Sequence, residues 1–462
     1  MSSTRTELDG LGSLELPAEA LHGIHTQRAV ENFPMTGVTL AHFPELVSAL
    51  ALVKNAAAQT NVELGVLAPE LGSVIREVCA EITGGAHHEH FVVDMVQGGA
   101  GTSTNMNANE VIANLALLKL GHKPGEYAHL HPNDHVNRSQ STNDVYPTAI
   151  RLAILNACAP LLEAQADLSA AFAEKGREFD SIRKVGRTQL QDAVPMTLGA
   201  EFRSFASTID EDIARVRQLS SLLTEVNLGG TAVGTRITAP DGYGPIAVRH
   251  LARLSGWPLV PATDLIEASS DLGAFVTFSS VLKRIAVKLS KICNDLRLLS
   301  SGPRAGIGEI ILPPVQAGSS IMPGKINPVI PEVVNQVAYQ VIGNDLTITF
   351  AAEAGQLQLN AMEPIVAFKL LESIRSLSQA MRVLQRKCVS GIRADEARCT
   401  ELLNGSLVLA TTLVPLVGYE MATRIAKTAH AEGRDIATVA AELAGLAQED
   451  LANALSRAIP GE

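Results

Sequence analysis

Paired cysteines are missing from this sequence. Cys79, Cys158, Cys293, Cys388 and Cys399 lie far apart with no CxxC among them. An odd count over 462 residues does not suggest a disulfide framework and reads as a reduced, cytosolic protein. Long basic runs are missing too, and the formal net charge is −11. That balance disfavours nucleic acid and anionic membranes as main partners, although a local basic pocket would still accept an anionic substrate. The opening MSSTRTELDG has no basic segment followed by an apolar run, so no secretory signal is expected. The longest uncharged stretch, residues 402–419, contains Asn404, Gly405, two threonines and Pro415. It reads as a buried helix and not as a membrane span. There is no internal repeat, no low-complexity tract, no GxGxxG turn, no GxSxG elbow and no HExxH pair.

What is present is apolar and helical. Hydrophobic residues make up 46% of the chain and charged residues 18%, ample for a large core. Residues 274–301 hold no Gly or Pro, and Phe278, Leu282, Ile285, Leu289, Ile292, Leu296 and Leu299 step alternately by four and three. That spacing predicts a helix with one apolar stripe. A second stripe runs through Leu370, Ile374, Leu377, Met381, Leu384 and Cys388. Residues 200–228 form a third Gly/Pro-free stretch, and residues 148–175 a fourth helix with a bend expected at Pro160. The fold class is therefore mainly α, with a long central helical bundle. Three domains are expected: a mixed, mostly helical one over 1–140, the bundle over 141–395 and a small helical one over 396–462. GTRITAP, residues 234–240, is one of few strand-like runs.

Small polar residues gather just ahead of these helices. QGGAGTSTNMNANEV, residues 97–111, crowds Thr102, Ser103, Thr104, Asn105 and Asn107 onto a helix start, a place suited to a carboxylate or phosphate. Plain N-capping accounts for the same residues. HPNDHVNRSQSTNDVYPT, residues 131–148, sets Ser141, Thr142 and Asn143 before a long helix, and GRTQLQDAVPMTLG, residues 186–199, does so with Thr188 and Gln189. Histidines cluster at His87–His90 and at His129, His131 and His135 with Asp134, but neither set has a spacing that carries a metal mechanism, so no metal is expected.

GSSIMPGKINPVIPE, residues 318–332, looks like a phosphate loop and fails the test twice. Five residues separate Gly318 from Gly324 where a P-loop has four, and Ile326 follows Lys325 where Ser or Thr would hold magnesium. A turn at Pro323–Gly324 remains, with Lys325 and Asn327 as anion binders and the hydroxyls of Ser319 and Ser320.

This segment resembles the signature of the fumarase/aspartase superfamily, and the three polar segments match that family in order and spacing. ELPAEALHGIHTQRAVENF near the start and GYEMATRIAK near the end extend the likeness over essentially the whole chain. The resemblance implies three helical domains and a homotetramer around a central bundle, with active sites shared by three subunits. It implies a small dicarboxylate substrate, and Ser319 as the base that takes a proton from the carbon beside a carboxylate. Thr188, Lys325 and Asn327 would hold one substrate carboxylate and Ser141 and Thr142 the other, with Ser320 adding a hydroxyl. Thr102, Asn143 and Gln189 would surround the leaving group. STN at 141–143, EAGQLQLNAMEP at 353–364 and PVIPE after Asn327 resemble the aspartase branch, which eliminates ammonia from L-aspartate to give fumarate. Gln189 stands where fumarases carry histidine; an amide cannot donate a proton to a departing hydroxide, whereas ammonia leaves without that help. A class II fumarase, or an aspartase-like lyase of altered amine or acid specificity, is the alternative reading. No cofactor is expected; magnesium activation is known in some aspartases, and nothing in the sequence requires it. HPND, residues 131–134, resembles a second, non-catalytic anion site of fumarases or is a structural turn.

Overall fold

A computed structural model describes residues 4–458. In chain order, a hairpin of β1 (Thr4–Asp9) and β2 (Gly12–Pro17) precedes α1 (Ile24–Asn32), α2 (Pro44–Glu63), α3 (Pro69–Thr83) and α4 (Thr102–Lys119). Next come α5 (Thr142–Glu178), a hairpin of β3 (Arg183–Thr188) and β4 (Gln191–Thr197), and α6 (Leu198–Ser220). Then follow β5 (Glu225–Val226), α7 (Tyr243–Ser255), β6 (Val260–Pro261), α8 (Gly273–Leu299), β7 (Ile310–Ile311), α9 (Val329–Glu353) and α10 (Glu363–Lys387). β8 (Arg393–Ala394) leads into α11 (Glu396–Gly405), α12 (Val408–Thr412), α13 (Val414–Glu432), α14 (Ile436–Ala444) and α15 (Gln448–Ala458). The four sheets among the described residues are two-stranded; β5–β6 is parallel and the other three are antiparallel. The chain is mainly α, as its periodicity predicts.

Both apolar stripes are core. Every stripe residue of α8 from Phe278 to Leu299 is buried, as are Leu370, Ile374, Leu377, Met381, Leu384 and Cys388 of α10 and the turn after it. The fourth expected helix is longer than its sequence pattern, running from Thr142 through both Pro147 and Pro160 to Glu178. At about 1.5 Å per residue it spans roughly 55 Å. It alone among the described residues is long and apolar enough to cross a membrane, but 78% of its apolar window is buried inside the protein.

Three expectations need correction. The stretch 200–228 is one helix only to Ser220; a 3-10 turn at Ser221–Leu223 and strand β5 follow. Residues 234–240 are turns, because Gly234, Arg236 and Thr238 take positive φ and an extended strand needs negative φ throughout. The uncharged stretch 402–419 is broken between α11, α12 and α13, with Gly418 at φ 78° interrupting the last.

The chain divides into two compact units, one of residues 4–162, 214–284 and 339–377, the other of 163–213, 285–338 and 378–458. In the first, α4 is buried nearly all round, and its polar residues organise the loops around it. Asn107 accepts the Val92 N–H (2.9 Å) and donates to the His90 carbonyl (3.0 Å). Asn114 donates to the Leu21 carbonyl and accepts the Gly125 N–H. The Glu110 carboxylate accepts the N–H groups of Gly23, His25 and Thr26 at the start of α1, where a helix leaves its donors unpaired. In the second unit, Phe172, Phe179, Phe202 and Phe205 meet mostly edge-to-face at 5.2–6.1 Å.

Candidate active site

The predicted site residues fall into two groups, one in each unit. In the first unit they sit at the starts of α4 and α5. Thr102 is exposed on the first turn of α4, behind Gly101 at φ 87°. A Cβ on Gly101 would lie 2.2 Å from the Tyr146 ring, so only glycine lets this turn approach α5. The capping alternative fails for Thr102: the N-cap is Gly101, and the Thr104 N–H is taken by Gln97 Oε1 at 2.9 Å. For Ser141 capping holds. Its Oγ accepts the Asn143 N–H (3.2 Å) and its own N–H donates to Asp144 Oδ1 (3.0 Å), a reciprocal box. Thr142 is buried and its Oγ1 accepts from Asn105 Nδ2 at 3.2 Å, which joins the two helix starts. Asn143 donates to the Ala232 carbonyl (2.8 Å). Two helix N-termini with hydroxyls at their first turns concentrate positive potential suited to a carboxylate.

A buried network that sequence reading missed lies among these residues. Lys54, fully buried on α2, donates to Asn137 Oδ1 (2.8 Å) and Gln140 Oε1 (2.9 Å), and Asn105 donates to the same Asn137 oxygen. Burial pulls the Lys54 ammonium down to about 7. Burial pushes the Asp144 carboxyl up to about 6, although it accepts N–H groups from Ser141, Gly229 and Thr231. Glu363, buried at the first turn of α10, is pushed up to about 8, again by burial, with Arg151 pulling the other way. The signal for Lys54 was legible: a lone lysine inside the apolar run of α2. For Asp144 and Glu363 the sequence holds only acidic residues near helix starts, where solvent-exposed caps are common.

In the second unit, Thr188 ends β3 and Gln189 is the first residue of a two-residue turn. Gln189 and Leu190 sit at φ 54° and 61°, the turn that Asn-Gly normally makes. The hairpin was not foreseen because its turn contains no glycine or asparagine. Non-glycine residues at positive φ cost about 1 kcal/mol or more each and cluster at functional sites. A bulge at Gly186/Arg187 and the ion pairs of Lys184 (2.8 Å) and Arg187 (2.9 Å) with buried Glu309 hold the hairpin base.

The 318–327 loop is closed on itself. Gly318 N–H donates to the Lys325 carbonyl (2.9 Å), and Asn327 Nδ2 to the Gly318 carbonyl (2.7 Å). Gly318 must be glycine, since a Cβ would lie 2.4 Å from the Lys325 oxygen. Within this ring Ser319 Oγ accepts the N–H groups of Ile321 (3.2 Å) and Met322 (3.0 Å). Two donors aimed at one hydroxyl oxygen favour its deprotonated form. Ser320 and Lys325 are exposed, while Ser319 and Asn327 are half-buried. The loop walls an open cavity of about 390 Å³, lined by Ser319, Met322, Gly324 and Lys325 among others.

The polar segments and the glycine loop lie inside the range over which this chain matches known proteins. A family model described as Lyase matches residues 12–343, and one described as Fumarase C C-terminus matches residues 409–458. This chain is a carbon–nitrogen lyase of mainly α architecture and belongs to the fumarase/aspartase superfamily. An aspartate ammonia-lyase of Pseudomonas canavaninivorans is 62% identical over 94% of this chain and 92% of its own length. A fumarate lyase:delta crystallin of Brucella melitensis, its crystal structure bound to cobalt, superposes with a TM-score of 0.96 at 56% identity, over 99% of this chain and all of that one. A class II fumarase of Schistosoma mansoni superposes with a TM-score of 0.94 over the whole of both chains, but at 32% identity.

Proposed function

We propose that the protein catalyses the reversible anti elimination of ammonia from L-aspartate to give fumarate. Ser319, as its alkoxide, takes a proton from the carbon beside a carboxylate, and the electron pair spreads into that carboxylate as an aci-carboxylate. The pair then returns to form the C=C bond as the C–N bond of the protonated amine on the next carbon breaks, its electron pair leaving with nitrogen as neutral ammonia. Hydrogen-bond donors fixed around the developing negative charge lower that barrier most where water is excluded. Thr188, Lys325 and Asn327 hold the carboxylate that takes up the charge, with Ser320 beside them. Ser141 and Thr142 bind the other carboxylate at the start of α5. Thr102, Asn143 and Gln189 enclose the amino group. The observation that carries this reading is the Ser319 oxygen with two backbone N–H donors inside a loop that also bears Lys325 and Asn327.

Ammonia in place of water as the leaving group is supported by the aspartate ammonia-lyase at 62% identity, against 32% for the fumarase. It is also supported by Gln189, which has no proton to give a departing hydroxide. An assay of fumarate formation from L-aspartate and L-malate side by side tests it. Turnover of L-aspartate is expected; turnover of L-malate alone would make the protein a fumarase.

The working form is a homotetramer in which three subunits contribute to each active site. Support comes from α9, where Tyr339, Leu346 and Phe350 are 57–65% exposed along one uncharged face with Gly343 between them. Such a stripe at intervals of three and four suits a helix bundled with copies of itself. A cytoplasmic location fits five cysteines that are all free and buried. The reaction needs no cofactor, and any magnesium effect would be activation alone.

A further inference from the structure

The histidines regroup in three dimensions. His129 does not join His131 and His135, its neighbours in sequence. It stacks on His122, with ring centroids 3.8 Å apart and planes 9° from parallel. Glu126 completes the group: its Oε2 lies 3.4 Å from His122 Nδ1, and the ligand atoms of all three side chains fall within 4.8 Å of one another.

We infer that His122, Glu126 and His129 form a surface site for a borderline divalent transition ion such as Zn²⁺ or Co²⁺. The donor set decides the class. Two imidazoles and one carboxylate suit zinc, cobalt, nickel or copper, whereas magnesium and calcium want oxygen alone. Around a tetrahedral ion with bonds of about 2.0–2.2 Å, neighbouring ligand atoms stand roughly 3.3 Å apart. The His122–Glu126 pair already meets that spacing, and rotating the exposed His129 side chain supplies the rest.

The backbone beneath the three ligands is fixed before any ion arrives. His122 N–H donates to the Leu117 carbonyl (2.9 Å) and Gly121 N–H to Leu118 (3.1 Å), which closes the end of α4. The Lys123 N–H donates to Glu126 Oε2 (3.1 Å) and so orients the carboxylate from behind. His129 N–H donates to the Glu126 carbonyl (3.1 Å). Tyr127, between Glu126 and His129, is anchored through its hydroxyl to Glu7 (3.1 Å), and Leu130, next after His129, is fully buried. In the other histidine group, His87, Glu89 and His90, the His87 Nε2 already faces Glu81 at 3.5 Å, a carboxylate that Lys119 also holds at 2.7 Å. An ion at 122/126/129 would clip the loop that joins α4 to the segment entering α5, the two helices whose starts carry Thr102 and Ser141.

The test is equilibrium dialysis of the full-length, untagged protein against Zn²⁺, with Co²⁺ as a visible-absorption probe. One ion per chain is expected, together with a cobalt d–d band and a rise in melting temperature on loading. His122→Asn and His129→Asn should each lose the ion, the band and the rise. The control His87→Asn should keep all three. Thermal unfolding without metal shows whether each variant is folded. No bound ion in the wild type, or a stoichiometry unchanged in both His122→Asn and His129→Asn, would overturn the assignment.

Discussion

The two groups of site residues are built in opposite ways. Around Ser141–Asn143 the side chains are tied into a buried web of Lys54, Asn105, Asn137, Gln140 and Asp144, spread over three helices and the chain before α5. Around Ser319, every hydrogen bond among the described residues begins and ends within 318–327, apart from one that accepts the Val329 N–H. The first arrangement fixes positions at the cost of desolvating charges. The second sets the proposed base, Ser319, on a loop whose hydrogen bonds are almost all internal. A wall that binds carboxylates benefits from rigidity, and a base that must meet substrate and then release product benefits from mobility.

Breaking either side should separate activity from stability. Ser319→Ala should lower turnover by about 10²–10⁴-fold in a fumarate assay. It should leave the unfolding free energy within about 0.5 kcal/mol of wild type, since the site is partly exposed. Wild-type turnover in that variant would remove Ser319 as the base. Asp144→Ala should do the reverse in urea unfolding and cost about 3–5 kcal/mol, because it removes the counter-charge of buried Lys54 and leaves three backbone donors unpaired. An unchanged unfolding midpoint would show that the web is not structural.

Glu363 sharpens the comparison through pH. Its folded pKa is raised from 4.5 to about 8, so the folded state holds the proton more tightly than the unfolded chain. That contribution to stability is complete below about 4.5 and disappears as pH climbs through about 8. Glu363→Gln cannot ionise. Its stability relative to wild type should therefore rise by a few kcal/mol, at roughly 1.4 kcal/mol per pH unit at most, between pH 5 and pH 8.5. Parallel stability curves over that range would show that Glu363 does not titrate there.

A glycine pair gives the smallest test. Gly101→Ala meets the Tyr146 ring at 2.2 Å, whereas Gly324→Ala meets nothing, although both positions have positive φ. Thermal unfolding should show a loss above about 2 kcal/mol for the first and about 1 kcal/mol for the second. Equal losses would mean that close packing is not what separates the two regions.

The helices were legible because burial imposes the same period on sequence and structure. The α8 and α10 stripes appear residue for residue in the core. The site loop was legible because its glycines, serines, Lys325 and Asn327 are contiguous. Turns were read less well. Residues 234–240 alternate like a strand and yet turn, and Gln189–Leu190 turn without any residue that announces it. In both cases neighbouring structure overrides local preference, which a single stretch of chain cannot display.

Contiguous chemistry and periodic burial were therefore determined by the sequence alone: the mainly α class, the long bundle helices, and the segments bearing Thr102, Ser141, Thr188, Ser319 and Lys325. The tertiary structure decided which distant residues meet: Lys54 with Asn137, Tyr146 with Gly101, Glu309 with Lys184 and Arg187, and His122 with His129. The reason is physical. A helix or a turn records its preferences in neighbouring residues, whereas desolvation and close packing act between residues far apart in the chain, 125 positions for Lys184 and Glu309, and take their sign from what surrounds each group.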